Sequence, residues 1–595
     1  MCGICGEFRF DNTKISNVRS NRMMRAITSR GPDHTGEFRA KNIFLGHKRL
    51  SVIDTSLKSN QPLEDDNLII VFNGVIFNYR ELKDILINKG YSFFSKGDTE
   101  VILKSYLHYG EDVVNHLDGV FSFSIYDKKR NELFCARDRL GIKPFYYTYN
   151  QNSFIFSSNT KALLEDKEEV SINKKSLHYQ FTLHSVIPAP DTIIADINKL
   201  EPGTFIKINA KGEKTDKSYY SFNHIKLNNE ISEQEILEET ETLLLRAIEK
   251  RFYTADVDVG VLLSGGLDSS LIVAMASKLN LSNINTFSIG FPTIGEELGD
   301  EFHYSDMIAS KFKTNHHKYN ISQEELFNSL DNVIRAMPEP MFSQDSAAFY
   351  LLAKEVSLEQ KVVLSGQGAD ELFGGYFWYK KMYETKGSEI DKFKQHYFDR
   401  EHKDYCDMIN KPFISEDYTE LLIKKLYEYQ RKDINFLDKT MRIDLSTLII
   451  DDPVKRVDSM TMSNGLETRV PFLDRDLVEF ILSIPSLNKL ENNGKYYLKK
   501  IAEKYLDKEL IYRDKFYFPV PPLKMLHGQF YDYVKMILRS TSCKKRNIYN
   551  YKYIERILKN PNGHFTNLNG NTLWHLGLLE RWFQLNIDSQ KTHLT

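Results

Sequence analysis

Short apolar runs separated by polar turns dominate the first ~220 residues. Leu68–Phe72 is one such run, and the Asn73-Gly74 pair directly after it is a typical turn signal. Residues 121–127 and 132–137 alternate around a polar stretch at 128–131, which predicts two paired strands. The pattern therefore predicts a first region that is rich in strands and tight turns.

Helices interrupt these strands at two places. Apolar residues recur at helical spacing after Asn78, and Gly90 is expected to end that helix. We also expect Thr99 to cap a helix over residues 100–109.

The apolar pattern lapses between residues 222 and 232, where polar residues dominate. Ser232 and Glu235 then have the spacing of a capping box, and the helix that they start carries one apolar face. We place a boundary here and predict two functional domains, residues 1–222 and residues 232–595.

Strands and helices alternate after this boundary. An apolar strand at 257–263 leads through Ser264-Gly265-Gly266 into a helix at 268–279, and a second strand follows at 285–290. This order is typical of a parallel α/β sheet. From about residue 391 onward apolar residues recur at helical spacing, so the C-terminal third is predicted to be mainly helical.

Charge and composition exclude several classes of protein. The 595 residues carry 81 acidic and 79 basic side chains, a formal net charge of −2, which excludes a basic nucleic-acid scaffold. We find no run of about 18 apolar residues and no basic and apolar segments of a signal peptide. Five scattered cysteines are too few for a disulfide framework. We therefore expect a cytoplasmic protein with no nucleic-acid or membrane partner, and a homodimer is the assembly to test for.

One of the five cysteines, Cys2, directly follows the initiator methionine. Removal of Met1, which a small second residue permits, would place a free α-amine beside the Cys2 thiol. An amine with a pKa of about 8 can accept the thiol proton, so one residue supplies both nucleophile and base. Chance placement is one alternative, and half of a zinc or redox pair with Cys5 is another, although no second pair completes it.

Attack on an amide also needs an oxyanion site and groups that hold the substrate. The Asn73 side chain and the Gly74 N–H are suited to stabilise an oxyanion. Arg49 and Asp98 carry the charges that bind the carboxylate and the ammonium group of a free amino acid. Taken singly, either residue is equally well explained as an ordinary surface charge.

The loop Leu263–Ser270 (LSGGLDSS) lies between the predicted strand and helix of the second region. Its glycines and the hydroxyl groups of Ser264, Ser269 and Ser270 are suited to bind phosphate at the helix N-terminus. A tight strand-to-helix connection is the alternative explanation for its shape. No Gly-Lys-Ser/Thr follows, so this is not the loop of γ-phosphate transfer.

Three further residues point to nucleotide chemistry. A second acidic loop, Ser365–Glu371, follows a predicted strand at 361–364. Asp268 and Asp370 are predicted to bind Mg²⁺, which prefers one or two carboxylates together with phosphate oxygens. Lys495 offers a cation for charge that develops on a phosphate.

The motifs of the first region resemble a known family. They are Cys2, Arg30–Asp33, His47–Ile53, Asn73-Gly74, Gly97–Glu100 and Arg137–Pro144. The region resembles a class II glutamine amidotransferase domain, an N-terminal-nucleophile hydrolase with stacked antiparallel sheets between helices. The resemblance implies that Cys2 attacks glutamine, which is held by Arg49, Leu50, Ser51, Val52, Ile53, Asn73, Gly74, Val75 and Asp98. Val75 stands where the synthetase branch usually has glutamate, which leaves Asp98 as the main anionic partner.

The SGGLDSS loop resembles that of the ATP pyrophosphatases. With the segment Asp451–Asp474, nearly the whole chain resembles the asparagine synthetase B family. This resemblance implies a parallel-sheet domain that adenylates a carboxylate, and a tunnel that brings it ammonia. Besides the loop residues Ser264, Gly265, Gly266, Asp268 and Ser269, it implies ATP contacts at Leu263, Ile289, Ser365 and Gly366.

Departures from the family concern the carboxylate acceptor. Gln367 stands where an acid/base carboxylate is usual at the acyl-adenylate site, so Glu371 or water must handle the proton. Phe342 and Gln344 are expected to alter an aspartate pocket. Residues 184–190, 299–306 and 517–521 resemble the N-acetylglutaminylglutamine amidotransferases. We expect N-acetylglutaminylglutamine as the acceptor and keep aspartate as the main alternative.

Two other functions stay open. The first is a plain amidohydrolase with a helical partner domain. The second is a regulatory protein whose catalytic loops have decayed, against which the intact Cys2, SGGLDSS loop and Lys495 argue.

Overall fold

The computed structural model describes residues 1–11, 13–164, 169–281, 283–513 and 520–589. Its strands are β1 Gly3–Arg9, β2 His34–Arg39, β3 Ile43–Arg49, β4 Leu63–Asp65, β5 Leu68–Ile76, β6 Gly119–Asp127, β7 Glu132–Arg137, β8 Tyr146–Tyr149, β9 Ser153–Ser157, β10 Asn198–Lys199, β11 Thr204–Ile208, β12 Lys214–Ser218, β13 Val259–Leu262, β14 Asn285–Gly290, β15 Asn315–Asn320, β16 Val362–Leu364 and β17 Glu467–Arg469.

Helices cover most of the rest of the described chain. They are α1 Asn17–Ala26, α2 Tyr79–Asn88, α3 Asp98–Tyr109, α4 Val113–His116, α5 Lys161–Leu164, α6 Lys174–Thr182, α7 Glu233–Tyr253, α8 Leu267–Lys278, α9 Phe302–Phe312, α10 Gln323–Ala336, α11 Asp345–Val356, α12 Ala369–Phe373, α13 Phe377–Glu384, α14 Glu389–Tyr397, α15 His402–Met408, α16 Tyr418–Tyr429, α17 Phe436–Ile443, α18 Lys455–Met462, α19 Arg475–Leu482, α20 Tyr496–Ala502, α21 Lys508–Tyr512, α22 Pro521–Lys524, α23 Gly528–Arg539, α24 Thr541–Arg546, α25 Tyr551–Ile557 and α26 Thr572–Phe583.

The first region is a sandwich of two six-stranded antiparallel sheets. One sheet has the order β10-β8-β9-β1-β3-β2 and the other β12-β11-β7-β6-β5-β4. Apolar side chains such as Phe8 and Val71 fill the space between them. Helix α1 covers the outer face of the first sheet, and α2 and α3 cover that of the second. This arrangement confirms the predicted sheets between helices.

The second region is built on a five-stranded parallel sheet. Its order is β15-β14-β13-β16-β17, and every neighbouring pair is parallel. Apolar clusters lie on both faces, as parallel sheets require. The predicted capping box of Ser232 and Glu235 begins α7, and the predicted strand at 285–290 is β14. The chain after residue 391 is mainly helical, as predicted. None of the helices described is long and apolar enough to cross a membrane.

Two local predictions were wrong. Asn73-Gly74 is not a turn: β5 continues to Ile76 because its pairing with β6 extends past both residues. Gly74 has φ +155°, and a Cβ there would lie 2.2 Å from the Val120 carbonyl oxygen, so close strand approach explains this glycine. Thr99 does not cap α3, whose N-cap is Gly97; its hydroxyl instead accepts a hydrogen bond from Gln61 Nε2 at 3.1 Å.

Candidate active sites

Cys2 lies at the start of β1, where the first sheet meets β5 of the second sheet. Its backbone N–H donates a hydrogen bond to Asn73 Oδ1 at 3.0 Å, so two predicted residues are in direct contact. The thiol is buried. Burial raises the pKa of the Cys2 thiol, while the terminal amine and the Leu50 N–H oppose that rise. The thiol therefore depends on a nearby base to become a thiolate.

A cavity surrounds this thiol, which we call the Cys2 cavity. Met1 lies in it, and the space left is about 30 Å³, room for little more than a water molecule. Release of Met1 would enlarge the cavity and move the terminal amine to Cys2 itself. The predicted residues that line it are Cys2, Arg49, Leu50, Val52, Ile53, Gly74 and Asp98.

Arg49 is fixed at the wall of the Cys2 cavity by the loop that follows β3. Nη1 donates to the Ser56 carbonyl at 2.8 Å and to Asn60 Oδ1 at 2.7 Å. Nη2 donates to the Ile53 and Asp54 carbonyls. The loop thus holds the guanidinium as a preorganised positive charge beside the thiol.

Asp98 is the first residue of α3, and it is buried. Its Oδ2 accepts a hydrogen bond from the Ile76 N–H at 3.1 Å. Burial raises the pKa of Asp98 to about 6, while that hydrogen bond opposes the rise. A cationic ligand at this carboxylate would compensate the buried charge.

This pKa gives a pH prediction. A raised pKa means that Asp98 is ionised above about pH 6 and neutral below it, so a bound ammonium group loses its partner as the pH falls. We expect the KM for glutamine to rise about tenfold per pH unit below pH 6 in assays of glutamate release. Asp98→Asn is expected to raise KM about 10- to 100-fold at neutral pH and to abolish this dependence. Glu467, which also faces the cavity, has a pKa of about 2 and stays ionised in this range. A wild-type KM that is flat from pH 7 to pH 5 would contradict the assignment.

Three residues of the predicted glutamine set, Ser51, Asn73 and Val75, do not line the Cys2 cavity, although Asn73 is hydrogen-bonded to the Cys2 N–H. The Val75 side chain packs in an apolar core with Leu140 and Ile142. Ser51 uses its N–H to bind Asp33 Oδ2 at 2.7 Å. Neither side chain lines the cavity. Cys5 is buried with its sulfur 3.7 Å from Met24 Sδ, which is packing of an ordinary core residue.

Sequence reasoning missed the residues that the second region contributes to the Cys2 cavity. Glu467, at the start of β17, forms an ion pair with the Met1 amine, with Oε2 2.5 Å from the amine nitrogen. Arg469 Nε lies 2.6 Å from the other carboxylate oxygen, Oε1. Burial would raise the pKa of Glu467, but Arg469 and the amine outweigh it and lower that pKa to about 2. Both residues belong to the segment 451–474, which resembles the family. The resemblance could therefore have pointed to them, although it gave neither residue a role.

The second candidate site is a cavity of about 990 Å³ at the carboxyl ends of β13, β14 and β16, the edge where open parallel sheets bind ligands. We call it the nucleotide cavity. The predicted residues that line it are Leu263, Ser264, Gly266, Asp268, Ser269, Ile289, Ser365, Gly366, Gln367, Asp370, Glu371 and Lys495.

The loop between β13 and α8 is held by its own hydroxyl groups. Ser264 Oγ accepts from the Gly266 N–H at 3.2 Å and lies 3.1 Å from Ser269 Oγ. Gly265 has φ +77° and packs against Tyr304, leaving no room for a side chain. Ser270 is fully buried in α8 and does not line the cavity. The loop therefore presents the N-terminus of a twelve-residue helix to the cavity.

Lys495 joins the two carboxylates that were predicted as metal ligands. Its Nζ lies 2.6 Å from Asp268 Oδ2 and 2.8 Å from Asp370 Oδ1. Burial opposes the charge on Lys495, but the two carboxylates raise its pKa. Lys495 has φ +56°, a conformation that is uncommon outside glycine and that the surrounding structure must impose. Two carboxylates are a donor set of the kind that Mg²⁺ prefers, and in this structure the Lys495 ammonium lies between them.

The loop after β16 supplies the other predicted acyl-adenylate residues. Ser365 Oγ donates to Gln367 Oε1, and Glu371 Oε1 accepts a hydrogen bond from the Tyr376 hydroxyl at 2.8 Å. The Ser365 N–H donates a hydrogen bond to the Arg469 carbonyl at 2.9 Å. These contacts bring Gln367 and Glu371 to the same cavity as Lys495.

Other residues at this cavity were not singled out from the sequence. Arg513 Nη2 donates to the Gly265 carbonyl at 3.1 Å and pairs with Glu301 at 2.6 Å. Arg456 Nη2 lies 3.2 Å from Asp345 Oδ2. Single charged residues carry little sequence signal, and only the fold brings these cations to the cavity.

The expectation that Phe342 and Gln344 alter an aspartate pocket stays a prediction, and neither residue lines the nucleotide cavity. Phe342 is buried and stacks on His575, with the ring centroids 4.3 Å apart. The neighbouring Asp345 does line it. Of the three passages that resemble the N-acetylglutaminylglutamine enzymes, 299–306 contributes to the cavity, whereas 517–519 lie outside the described residues.

Comparisons with known proteins match one family in each of the two regions. Residues 239–584 match the family "Asparagine synthase" and residues 1–220 match "Glutamine amidotransferase domain". The chain is 31% identical over 629 aligned residues to "Asparagine synthetase [glutamine-hydrolyzing] 1" of Bacillus subtilis, with 99% of this chain and 98% of that protein covered. It is 37% identical to "Putative asparagine synthetase [glutamine-hydrolyzing] 2" of Methanocaldococcus jannaschii, with 63% and 76% covered.

Among solved structures, a glutamine phosphoribosylpyrophosphate amidotransferase from B. subtilis, complexed with ADP and GMP, aligns at 14% identity. The alignment covers 55% of this chain and 92% of that chain, and its TM-score of 0.30 is too low to support an inference.

Proposed function

This chain belongs to the asparagine synthase family, with a glutamine amidotransferase domain at its N-terminus, and from that membership we propose that it is a carbon–nitrogen ligase that uses glutamine as amide donor. Residues 1–222 would release ammonia from glutamine. Residues 232–595 would use ATP, with release of AMP and pyrophosphate, to activate a carboxylate for amidation. We also propose that the protein forms a homodimer and lies in the cytoplasm.

The observation that carries this proposal is the position of the two cavities on one sheet. Strand β17 contacts both cavities. Its first residue, Glu467, faces the Cys2 cavity, and the carbonyl of its last residue, Arg469, accepts a hydrogen bond from the N–H of Ser365 in the nucleotide cavity. A strand of three residues spans about 10 Å. A short path through protein therefore suits transfer of ammonia, since exclusion of water keeps ammonia unprotonated and nucleophilic.

At the Cys2 cavity the proposed reaction is attack of the thiol sulfur on the side-chain amide carbon of glutamine. The free α-amine of Cys2 accepts the thiol proton and passes it to the departing nitrogen, which leaves as ammonia. Asn73 and the Gly74 N–H would stabilise the oxyanion, and water then hydrolyses the thioester to glutamate. Arg49 and Asp98 would hold the amino-acid end of the substrate.

At the nucleotide cavity an acceptor carboxylate oxygen would attack the α-phosphorus of ATP, and pyrophosphate would leave. Ammonia then attacks the acyl carbon, and AMP leaves as the amide forms. Lys495 would stabilise charge on the phosphates, and Asp268 and Asp370 would hold Mg²⁺, which when bound neutralises phosphate charge. Gln367 cannot titrate. Glu371, which accepts a hydrogen bond from the Tyr376 hydroxyl at 2.8 Å, or water would therefore accept the proton that the attacking ammonia loses as the amide forms.

We propose N-acetylglutaminylglutamine as the acceptor. Three passages of sequence and the neutral Gln367 support this choice. The nucleotide cavity of about 990 Å³ is also large enough for a nucleotide together with an extended acceptor. Aspartate is the second candidate, because the curated relatives carry the name asparagine synthetase.

An acceptor panel tests the proposal. With ATP and glutamine, we expect AMP and amide product from N-acetylglutaminylglutamine at a kcat/KM at least about 100-fold above that of aspartate or glutamate. AMP release and mass spectrometry of the product provide the measurement. Product from aspartate alone would favour asparagine synthesis instead. Glutamine hydrolysis that is indifferent to ATP and to every acceptor would favour a plain amidohydrolase, and no ATP-dependent pyrophosphate release at all would favour a regulatory protein.

A further inference from the structure

A group of metal-ligating side chains lies away from both cavities, between the first region and the C-terminal helices. His178 is on α6, His402 is the first residue of α15, and Asp417 is the N-cap of α16. Their nearest ligand atoms all lie within 4.8 Å of one another. His178 Nε2 is 3.0 Å from His402 Nδ1 and 3.9 Å from Asp417 Oδ1. Zinc bonds of about 2.0–2.2 Å place tetrahedral ligand atoms roughly 3.3–3.6 Å apart, so the distances of 3.0 and 3.9 Å lie on either side of the required value.

The hydrogen bonds behind His178 define which of its nitrogens faces the other two residues. Thr182 Oγ1 donates to the His178 carbonyl at 2.8 Å and so accepts from Thr419 Oγ1, at 2.6 Å. Thr419 Oγ1 has then used its hydrogen and accepts from His178 Nδ1–H at 2.8 Å. A neutral His178 therefore presents the lone pair of Nε2 to His402 and Asp417. A second nitrogen that is fixed by an oxygen acceptor is typical of histidine ligands to metals.

The surroundings of His402 and Asp417 are compatible with the same role. His402 Nε2 lies 3.4 Å from Cys406 Sγ, so the ring proton can move from Nδ1 to Nε2 and be accepted there by sulfur. Asp417 Oδ1 accepts the Glu420 N–H at 3.0 Å and keeps a second lone pair, while Lys394 Nζ lies 3.7 Å from the other oxygen, Oδ2. His178 is buried, whereas His402 and Asp417 are partly exposed, which leaves a path for an ion from solvent.

The second His/His/Asp group of the described chain provides a contrast. This group consists of His184, Asp399 and His575. Arg400 Nη2 lies 3.1 Å from His575 Nδ1, and Arg400 Nη1 forms an ion pair with Asp399 at 3.2 Å. The Arg400 guanidinium therefore already supplies the positive charge that a metal ion would bring to that group. At His178, His402 and Asp417, the nearby lysine lies only on the outer carboxylate oxygen.

We propose that His178 Nε2, His402 Nδ1 and Asp417 Oδ1 form a binding site for a divalent transition-metal ion of the zinc type, with water as the fourth ligand. Two imidazoles and one carboxylate suit such an ion and do not suit Mg²⁺, which prefers oxygen ligands. The ion would tie α6 of the first region to α15 and α16 of the helical region, so its expected effect is to stabilise the packing between these regions.

Zinc binding to the full-length chain tests this site. After removal of metal with a chelator, we expect wild-type protein to bind one zinc ion that His402→Ala and Asp417→Asn bind at least about 100-fold more weakly in equilibrium dialysis. Asp417→Asn is chosen because asparagine is an equally good N-cap, so the helix should keep its cap. Asp507→Asn is the control for the loss of one carboxylate at an N-cap position. The Asp507 side chain is 68% exposed and makes no capping hydrogen bond.

Two further measurements keep the test independent of folding. Cobalt should give visible d–d bands of tetrahedral type in wild-type and Asp507→Asn protein, and these bands should be absent from the two site variants. Zinc should raise the unfolding midpoint of wild-type protein but not that of Asp417→Asn. Equal zinc affinity in all four proteins, or no cobalt spectrum in the wild type, would overturn the proposal.

Discussion

Cys2→Ala is expected to abolish synthesis of the amide from glutamine while leaving synthesis from ammonium salts within about twofold of the wild type. The variant lacks the thiol that lines the Cys2 cavity, so the thioester cannot form. Loss of a nucleophile commonly costs 10⁴-fold or more in rate, which corresponds to about 5.5 kcal/mol of lost transition-state stabilisation. The nucleotide cavity keeps all of its residues, so activation of the acceptor should continue. The measurement is amide formation with either nitrogen source, together with release of glutamate.

A matched control separates chemistry from packing in this experiment. Cys5→Ala makes the same replacement three residues further along the chain, but Cys5 packs against Met24 and does not line the Cys2 cavity. We expect Cys5→Ala to retain glutamine-dependent activity. Equal loss of the glutamine and ammonium activities in Cys2→Ala would show that the two cavities do not act as separate sites.

The elements that the sequence predicted best are those with strong local signals. Ser232 and Glu235 form the expected capping box, and the paired strands β6 and β7 lie as the alternation of residues 121–137 indicates. The loop between β13 and α8 also lies where its glycines and serines predicted it. Capping, alternation and strand–loop–helix order depend on neighbouring residues, so one sequence is enough to read them.

The predictions that failed and the contacts that were missed depend on partners far away in the chain. The Asn73-Gly74 pair has the local signal of a turn, but the ladder with β6 overrides it. Val75 follows the residues of the Cys2 cavity in sequence, yet its side chain packs in the core beside Leu140. Glu467 reaches Met1 across 466 positions of the chain. No local pattern contains a contact of this range, and only the assembled sheets create it.

Lys495→Ala is expected to lower amide synthesis by about 10³-fold with either glutamine or ammonium as nitrogen source. Loss of one group that stabilises developing charge typically costs 10²–10³-fold, and here the two carboxylates at 2.6 and 2.8 Å would also lose their shared cation. ATP-dependent pyrophosphate release should fall in parallel, because the phosphates lose the cation. Glutamine hydrolysis should continue, since Lys495 does not line the Cys2 cavity.

Lys500→Ala is the matched control for this prediction. Lys500 lies on the same helix, α20, but it pairs loosely with Glu503 at 3.9 Å and does not line the nucleotide cavity. It should keep both activities. Because Lys495→Ala leaves Asp268 and Asp370 to repel each other, its unfolding midpoint should be compared with that of Lys500→Ala at the same Mg²⁺ concentration. Wild-type pyrophosphate release in a folded Lys495→Ala protein would exclude Lys495 from the chemistry. The other cations that line the cavity, Lys380, Lys381, Arg456, Lys499 and Arg513, would then be the candidates for its role.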